Sequence, residues 1–119
     1  MSNQTISDQD KNYNIILKSE SETIIFEGSM RMPFIELERN ILPYLMKFID
    51  NSTHHITIEL KNLLYLNSLG ISNLIVLLME IHKRKLKLTI HLSRNYPWQI
   101  KISDNLSLAH PEVNLIYND

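Results

Sequence analysis

The residues Asn67-Ser68-Leu69-Gly70 bring together an amide, a hydroxyl and one of the chain's only two glycines. They lie where an apolar, strand-like run meets a helix-like one. A serine hydroxyl at such a junction has three uses. It can cap the helix, contributing about 1 kcal/mol. It can accept a phosphoryl group, because a helix N-terminus has unpaired N–H groups and a partial positive charge that suit an anion. It can also attack an electrophile, but that requires a general base beside it. None of the five histidines, His54, His55, His82, His91 and His110, is close to Ser68 in sequence. His54 and His55 are neighbours on a strand-like run, so they point to opposite faces and cannot readily share a metal. No HxxxH or HExxH spacing occurs, and the acidic residues form no paired constellation. Glycines at 28 and 70 alone allow neither a P-loop nor a GxGxxG turn. The absence of cysteine removes thiol catalysis, disulfides and thiolate metal sites together. The chain is therefore expected to have no cofactor, no metal and no enzymatic activity of its own, with Ser68 either a cap or a phosphate acceptor.

The elements that position this stretch follow from periodicity. Residues 1–12 are polar and aperiodic and read as a flexible tail, which leaves 13–119 as one domain. "YNIILK" (13–18) and "TIIFEG" (23–28) are β-branched and aromatic, and the polar "SESE" between them makes an antiparallel hairpin. Gly28 and Ser29 then turn the chain. A helix over about 34–50 presents Phe34, Leu37, Ile41, Leu45 and Phe48 on one face, with a defect at Pro43, which cannot donate to residue 39. "HITIEL" (55–60) alternates as a strand, and "LLYL" (63–66) leads into the Asn67-Ser68 turn. From Ser68 to Arg84 the apolar residues Ile71, Leu74, Ile75, Leu78 and Ile81 form a helical stripe, closed by cations that favour the negative end of the helix dipole. "LKLTIHL" (86–92) is a strand with Leu86, Leu88, Ile90 and Leu92 on one face. Trp98, Ile102, Leu106 and Ala109 mark a third helix, and "VNLIY" (113–117) is the last strand. The predicted order is ββαβαβαβ, an α/β domain with a mixed sheet and helices packed on it.

Within that frame Asn67 sets the turn and caps locally, as a residue tolerant of left-handed backbone angles. Gly70 has two readings, a clear approach to Ser68 or tight packing of the first helical turn. Leu69 and Ser72 flank Ser68 on the same helix. Trp98, the only tryptophan, either covers the sheet or anchors a partner.

Composition narrows the partners. With 119 residues and 44% hydrophobic content the chain suits a single core. A net charge of −1 with dispersed Lys and Arg offers no stripe for nucleic acid and no positive run for an anionic membrane. The longest apolar run, Leu74 to Met79, is far too short to span a bilayer. The N-terminus has no apolar core and is not a signal peptide. A soluble cytoplasmic protein is expected.

The predicted order, with a serine at the junction of the third strand and second helix, resembles the STAS domain of bacterial anti-sigma factor antagonists. In that family the junction commonly reads Asp-Ser-Ser/Thr-Gly-Leu, and the serine after the aspartate is phosphorylated by a partner kinase. Here Ser68 falls on that serine, Gly70 on the glycine and Ile71 on the leucine, while Asn67 replaces the aspartate and Leu69 the second hydroxyl residue. The resemblance covers roughly 13–117. "GSMRM", "LNSLGI" and "YPWQIKISDNL" together look like a STAS-like subfamily with LNSxGI and PWQ motifs. "ELKNLLYLN" is similar to biofilm-control phosphoproteins that bind a diguanylate cyclase. The resemblance implies a signal-transduction module of partner-switching type, acting in transcription regulation or a related pathway. Its partners would be a serine kinase or anti-sigma factor, a PP2C-like phosphatase and a diguanylate cyclase. Its partner surface would comprise Asn67, Ser68, Leu69, Gly70, Ser72 and Trp98, with Ser68 the phosphorylated residue. The alternative, suggested by Asn67, is a constitutive interaction or scaffold module without phosphorylation.

Overall fold

The computed structural model describes residues 3–118. Its strands are β1 (Asn3–Ser7), β2 (Tyr13–Lys18), β3 (Thr23–Met30), β4 (His55–Leu66), β5 (Lys87–Ser93) and β6 (Asn114–Asn118). Helix α1 has three consecutive parts, α-helical Phe34–Glu36, a π-helical turn Leu37–Ile41 and α-helical Leu42–Asp50. Helix α2 is Ser68–Lys83 and α3 is Pro97–Ala109. The six strands lie side by side in chain order. The first two pairings are antiparallel and the remaining three parallel.

Parallel neighbours in chain order require crossovers, and right-handed crossovers that all step the same way put every helix on one face. The burial pattern agrees. Ile15, Leu17, Ile24, Ile56, Ile58, Leu88 and Ile90 are buried against the helices. Their alternates Ile16, Ile25, Glu59, His91 and Ile116 stand in one half-exposed row across the opposite face.

From Tyr13 onward the element order is the predicted ββαβαβαβ. The segment read as a flexible tail departs from that reading. Residues 3–7 form an edge strand in antiparallel register with β2. The ladder is made by backbone groups, with Ser7 Oγ bonding Asn14 Oδ1 and Ile6 packing on the core, and with Ile6 the one apolar residue of "NQTIS" the strand has no hydrophobic period to announce it. Gly28 also departs from expectation. It does not end β3 but lies within it at φ +95°, and glycine is needed there because a Cβ would stand 2.2 Å from the Asn12 carbonyl oxygen.

In α1 the expected defect is a π-helical turn immediately before Pro43. Pro43 has no N–H for the Arg39 carbonyl, and its ring would crowd that carbonyl in a regular α-helix, so the widened turn relieves both. The turn also shifts the phase of the helix. Leu37, Ile41, Leu45, Phe48 and Ile49 are buried, whereas Phe34, assigned by periodicity to the same face, is 61% exposed.

Candidate functional site

Strand β4 delivers the chain to Ser68, and its last half is irregular. Residues 55–59 pair with β5, and the pairing stops at Glu59–His91. Against β3 the register slips by one residue between Ile25/Glu27 and again between Gly28/Ser29. Each slip is a bulge carrying an extra residue on β4. The buried positions accordingly run Ile56, Ile58, Leu60, Leu63, Leu66, two steps of two followed by two of three. The two predicted segments 55–60 and 63–66 are therefore one strand, which the bulges made look like two. They turn Leu64 and Tyr65 outward, at 52% and 39% exposure.

The α3 N-terminus holds this irregular end. Gln99 is fully buried, and its Nε2 donates to the carbonyls of Leu60 at 2.6 Å and Leu63 at 2.9 Å. Its Oε1 accepts from the Ser93 backbone N–H at 2.8 Å. The Trp98 indole Nε1–H donates to the Leu64 carbonyl at 2.9 Å. Trp98 is half-buried against the core, and its N–H pins the second bulge. Gln99 is the residue that sequence reasoning passed over. The only signal available was its place in the PWQ motif, and nothing local marks a glutamine as buried.

The junction is built by Asn67. Its backbone is extended at φ −73°, ψ 171°, not left-handed as its residue type suggested. Its Oδ1 caps α2 by accepting from Gly70 N–H at 3.0 Å, and its carbonyl accepts from Ile71 N–H at 2.9 Å. Its own N–H donates to the Met30 carbonyl at 3.1 Å, and its Nδ2 donates to the Met32 carbonyl at 3.2 Å. Asn67 thus ties the start of α2 to the chain leaving β3. Gly70 is explained by packing: a Cβ would lie 2.3 Å from Leu66 Cδ1, 2.9 Å from Leu66 Cγ and 3.1 Å from Asn67 Oδ1.

With the cap supplied by Asn67, Ser68 is the first helical residue. It is exposed, and among the described residues its hydroxyl makes no recorded hydrogen bond. Leu69 is half-buried against the core, and Ser72, one turn on, is exposed. The surroundings are apolar for a surface. The parallel strands β3, β4 and β5 all end on this side, and the segments there carry exposed Phe34, Ile35, Leu64, Tyr65 and Ile100. The Arg31 guanidinium lies 4.6 Å from the Tyr65 ring centroid. Ser72 also lines the groove between α2 and α3, an open space of about 760 Å³ walled by Ile71, Ile75, Met79 and Leu108.

Among the described residues the histidines stand at other places in the fold. His82 belongs to the last turn of the same helix, roughly 21 Å away along its axis. His55 opens β4 at the far end and bonds Thr89 Oγ1 at 2.9 Å. His110 follows α3 and bonds the Leu86 carbonyl at 2.8 Å, and His91 lies on the open sheet face. Beside Gly70 a small, partly open apolar space of about 30 Å³ lies between α1 and α2, a tenth of the smallest common ligand pocket. No group of three or more His, Cys, Asp or Glu suited to a metal occurs among the described residues. No described helix is long and apolar enough to cross a membrane.

No protein-family model and no curated protein matches the chain. Solved structures do. The chain superposes on apo-SiaC from Pseudomonas aeruginosa with a TM-score of 0.73 at 14% identity, covering 100% of both chains. It matches a chain in the crystal structure of diguanylate cyclase SiaD in complex with its activator SiaC, from the same organism. That match has a TM-score of 0.72 at 13% identity and covers 97% of this chain and 99% of that one. A further SiaC structure gives 0.64 at 14% identity. Identity this low establishes architecture alone, and the architecture is the fold of SiaC.

Proposed function

We propose that this chain is a protein-binding regulatory module whose binding face centres on Ser68 and is switched by phosphorylation of that hydroxyl. One observation carries the reading. The helix cap is made by Asn67, which leaves the Ser68 hydroxyl exposed and unengaged on the side of the sheet where the end of β4 and the segment after β3 carry outward-facing Phe34, Leu64 and Tyr65. A serine kept only as a cap would be the residue bonding Gly70 N–H. Tyr65, Trp98 and the neighbouring apolar groups are of the kind that dominate binding energy at protein interfaces. The N–H groups of Ser68 and Leu69, in the first helical turn, have no intrahelical acceptor and sit at the positive end of the α2 dipole. A phosphate on Ser68 is therefore tolerated by the fold. The same phosphate adds roughly 1.5–2 negative charges to an apolar docking face and costs several kcal/mol when a partner must desolvate it.

The reading assigns the protein to the cytoplasm, with a serine kinase and a PP2C-like phosphatase acting on Ser68. SiaC is described as the activator of the diguanylate cyclase SiaD, so a diguanylate cyclase is the first binding partner to test. With its kinase and ATP the protein should gain one phosphate, mapped by mass spectrometry to Ser68. Ser68→Ala should abolish this while changing stability by no more than about 0.5 kcal/mol. Ser68→Asp should keep the fold and weaken partner binding in titration calorimetry. Phosphate on Ser72 or Ser103 instead, or undiminished binding by Ser68→Asp, would sink the switch and leave a constitutive binding module.

A further inference from the structure

The end of β4 lacks a strand on one side, and a side chain takes that strand's place. Beyond Glu59 the β5 pairing is over, while β4 continues for seven residues to Leu66. The two bulges leave carbonyls turned toward the gap, and unpaired carbonyls in a buried gap are costly. Gln99 fills it. Its amide uses both Nε2 hydrogens on Leu60 and Leu63 and its Oε1 on Ser93 N–H, so one side chain sutures the end of β5 to both sides of the first bulge. Trp98 adds Leu64. Of the five carbonyls from Leu60 to Leu64, three are held by two consecutive residues of α3. Four residues past Leu64 stands Ser68. On its other side β4 stays paired with β3 as far as Met30–Leu66, and Asn67 extends that tie to the carbonyls of Met30 and Met32.

We infer that Gln99 is a positioning residue for the Ser68 face, acting through the bulged end of β4, with Trp98 as its outer support. The inference rests on Ser68 being the functional centre. Its content is that the first turn of α3 sets where Leu64, Tyr65 and Ser68 stand relative to the rest of the sheet. A glutamine is required because the gap presents acceptors on one side and a donor on the other. Glutamate would bring a carboxylate against two carbonyl oxygens, and asparagine is one methylene too short to span from α3. Methionine matches the volume and supplies no donor.

The test is amide hydrogen exchange on the full chain, free of any partner, comparing wild type with Gln99→Met and Trp98→Phe. The sheet's antiparallel half, β2 and β3, serves as the internal reference. If Gln99 positions the face, Gln99→Met should speed exchange of the Asn67, Gly70 and Ile71 amides by roughly tenfold or more, while β2 amides facing β3 stay unchanged. Trp98→Phe, which keeps an aromatic ring and loses the N–H together with the pyrrole part of the indole, should speed the same amides by a smaller factor. Uniform acceleration over β2, β3 and the junction would make Gln99 merely a contributor to global stability and overturn the inference. So would acceleration confined to β4 and β5 with Asn67, Gly70 and Ile71 unaffected. Should Gln99→Met fail to fold, the Trp98→Phe pattern decides by the same amides. No kinase enters the measurement, so its outcome is independent of whether Ser68 proves to be phosphorylated.

Discussion

At position 67 the presence of asparagine rather than aspartate has a structural reason. The Gly70 N–H requires an acceptor and fixes which end of the side chain is oxygen. The other end then meets the Met32 carbonyl, which only a donor can satisfy. Aspartate would keep the cap and set a carboxylate against that carbonyl. Asn67→Ala should therefore cost about 1–2 kcal/mol in urea unfolding, toward the upper end for a lost cap because two bonds disappear together. Asn67→Asp should fall between wild type and Asn67→Ala. Equal stability of Asn67→Asp and wild type would mean that the Met32 bond contributes nothing. Ser68 contrasts with its neighbour. No described group depends on its hydroxyl, which is why its substitution separates function from folding.

At the scale of elements the junction between β4 and α2 depends on close approach. Replacing Gly70 by alanine gains up to about 1 kcal/mol of helix propensity. The added methyl, however, would lie 2.3 Å from Leu66 Cδ1 and 2.9 Å from its Cγ, so the whole side chain must move, and overpacking of this kind costs about 1–3 kcal/mol. The small apolar space beside Leu66 and Gly70 takes up part of the movement. A net loss of about 1 kcal/mol is expected, read as a lower urea midpoint at unchanged slope. A gain in midpoint would show that Leu66 relaxes freely and that the glycine serves the approach to Ser68 rather than packing. The π-helical turn in α1 has the parallel logic. Pro43 dictates that the helix widens, and the core dictates that Leu37 and Ile41 remain on the buried face on either side of it.

For the whole molecule, Tyr13 joins the antiparallel half of the sheet to the helical layer. Its phenol is pushed well above its ordinary value of 10.0, first by burial, then by its hydrogen bond to Glu36 and by the negative charges of Glu36 and Asp8. A raised pKa in the folded state means the fold holds the proton more tightly than the unfolded chain does. This contribution to stability is complete below the unfolded value near 10 and declines as pH rises beyond it toward the folded value. Urea midpoints measured from about pH 8 to pH 11 should therefore fall at the alkaline end. Tyr13→Phe, which has no proton to lose, should flatten that fall. An identical alkaline decline in both proteins would place the titrating group elsewhere.

The sequence by itself determined the α/β class, the order of elements from Tyr13 on and the location of the Ser68 junction at the head of a helix. These are written in local periodicity: two residues for a strand with one buried face, and three to four for a helix. Leu88, Ile90 and Leu92 were legible for that reason, as were Leu74, Leu78 and Ile81. Tertiary structure decided what depends on a distant partner. Strand β1 exists because β2 offers backbone groups, not because its own residues are apolar. The two apolar runs of β4 are one strand because β3 pairs across both bulges. Leu77 is buried while Ile71 and Ile75 face the α2–α3 groove, since an apolar stripe does not say which layer each side meets. Gln99 and Asn67 are polar residues whose roles are set by carbonyls 30 or more positions away. Hydrophobic burial leaves a periodic trace in the chain because it repeats along each element. A hydrogen bond that closes a gap occurs once, between residues brought together only by the fold, and leaves no such trace.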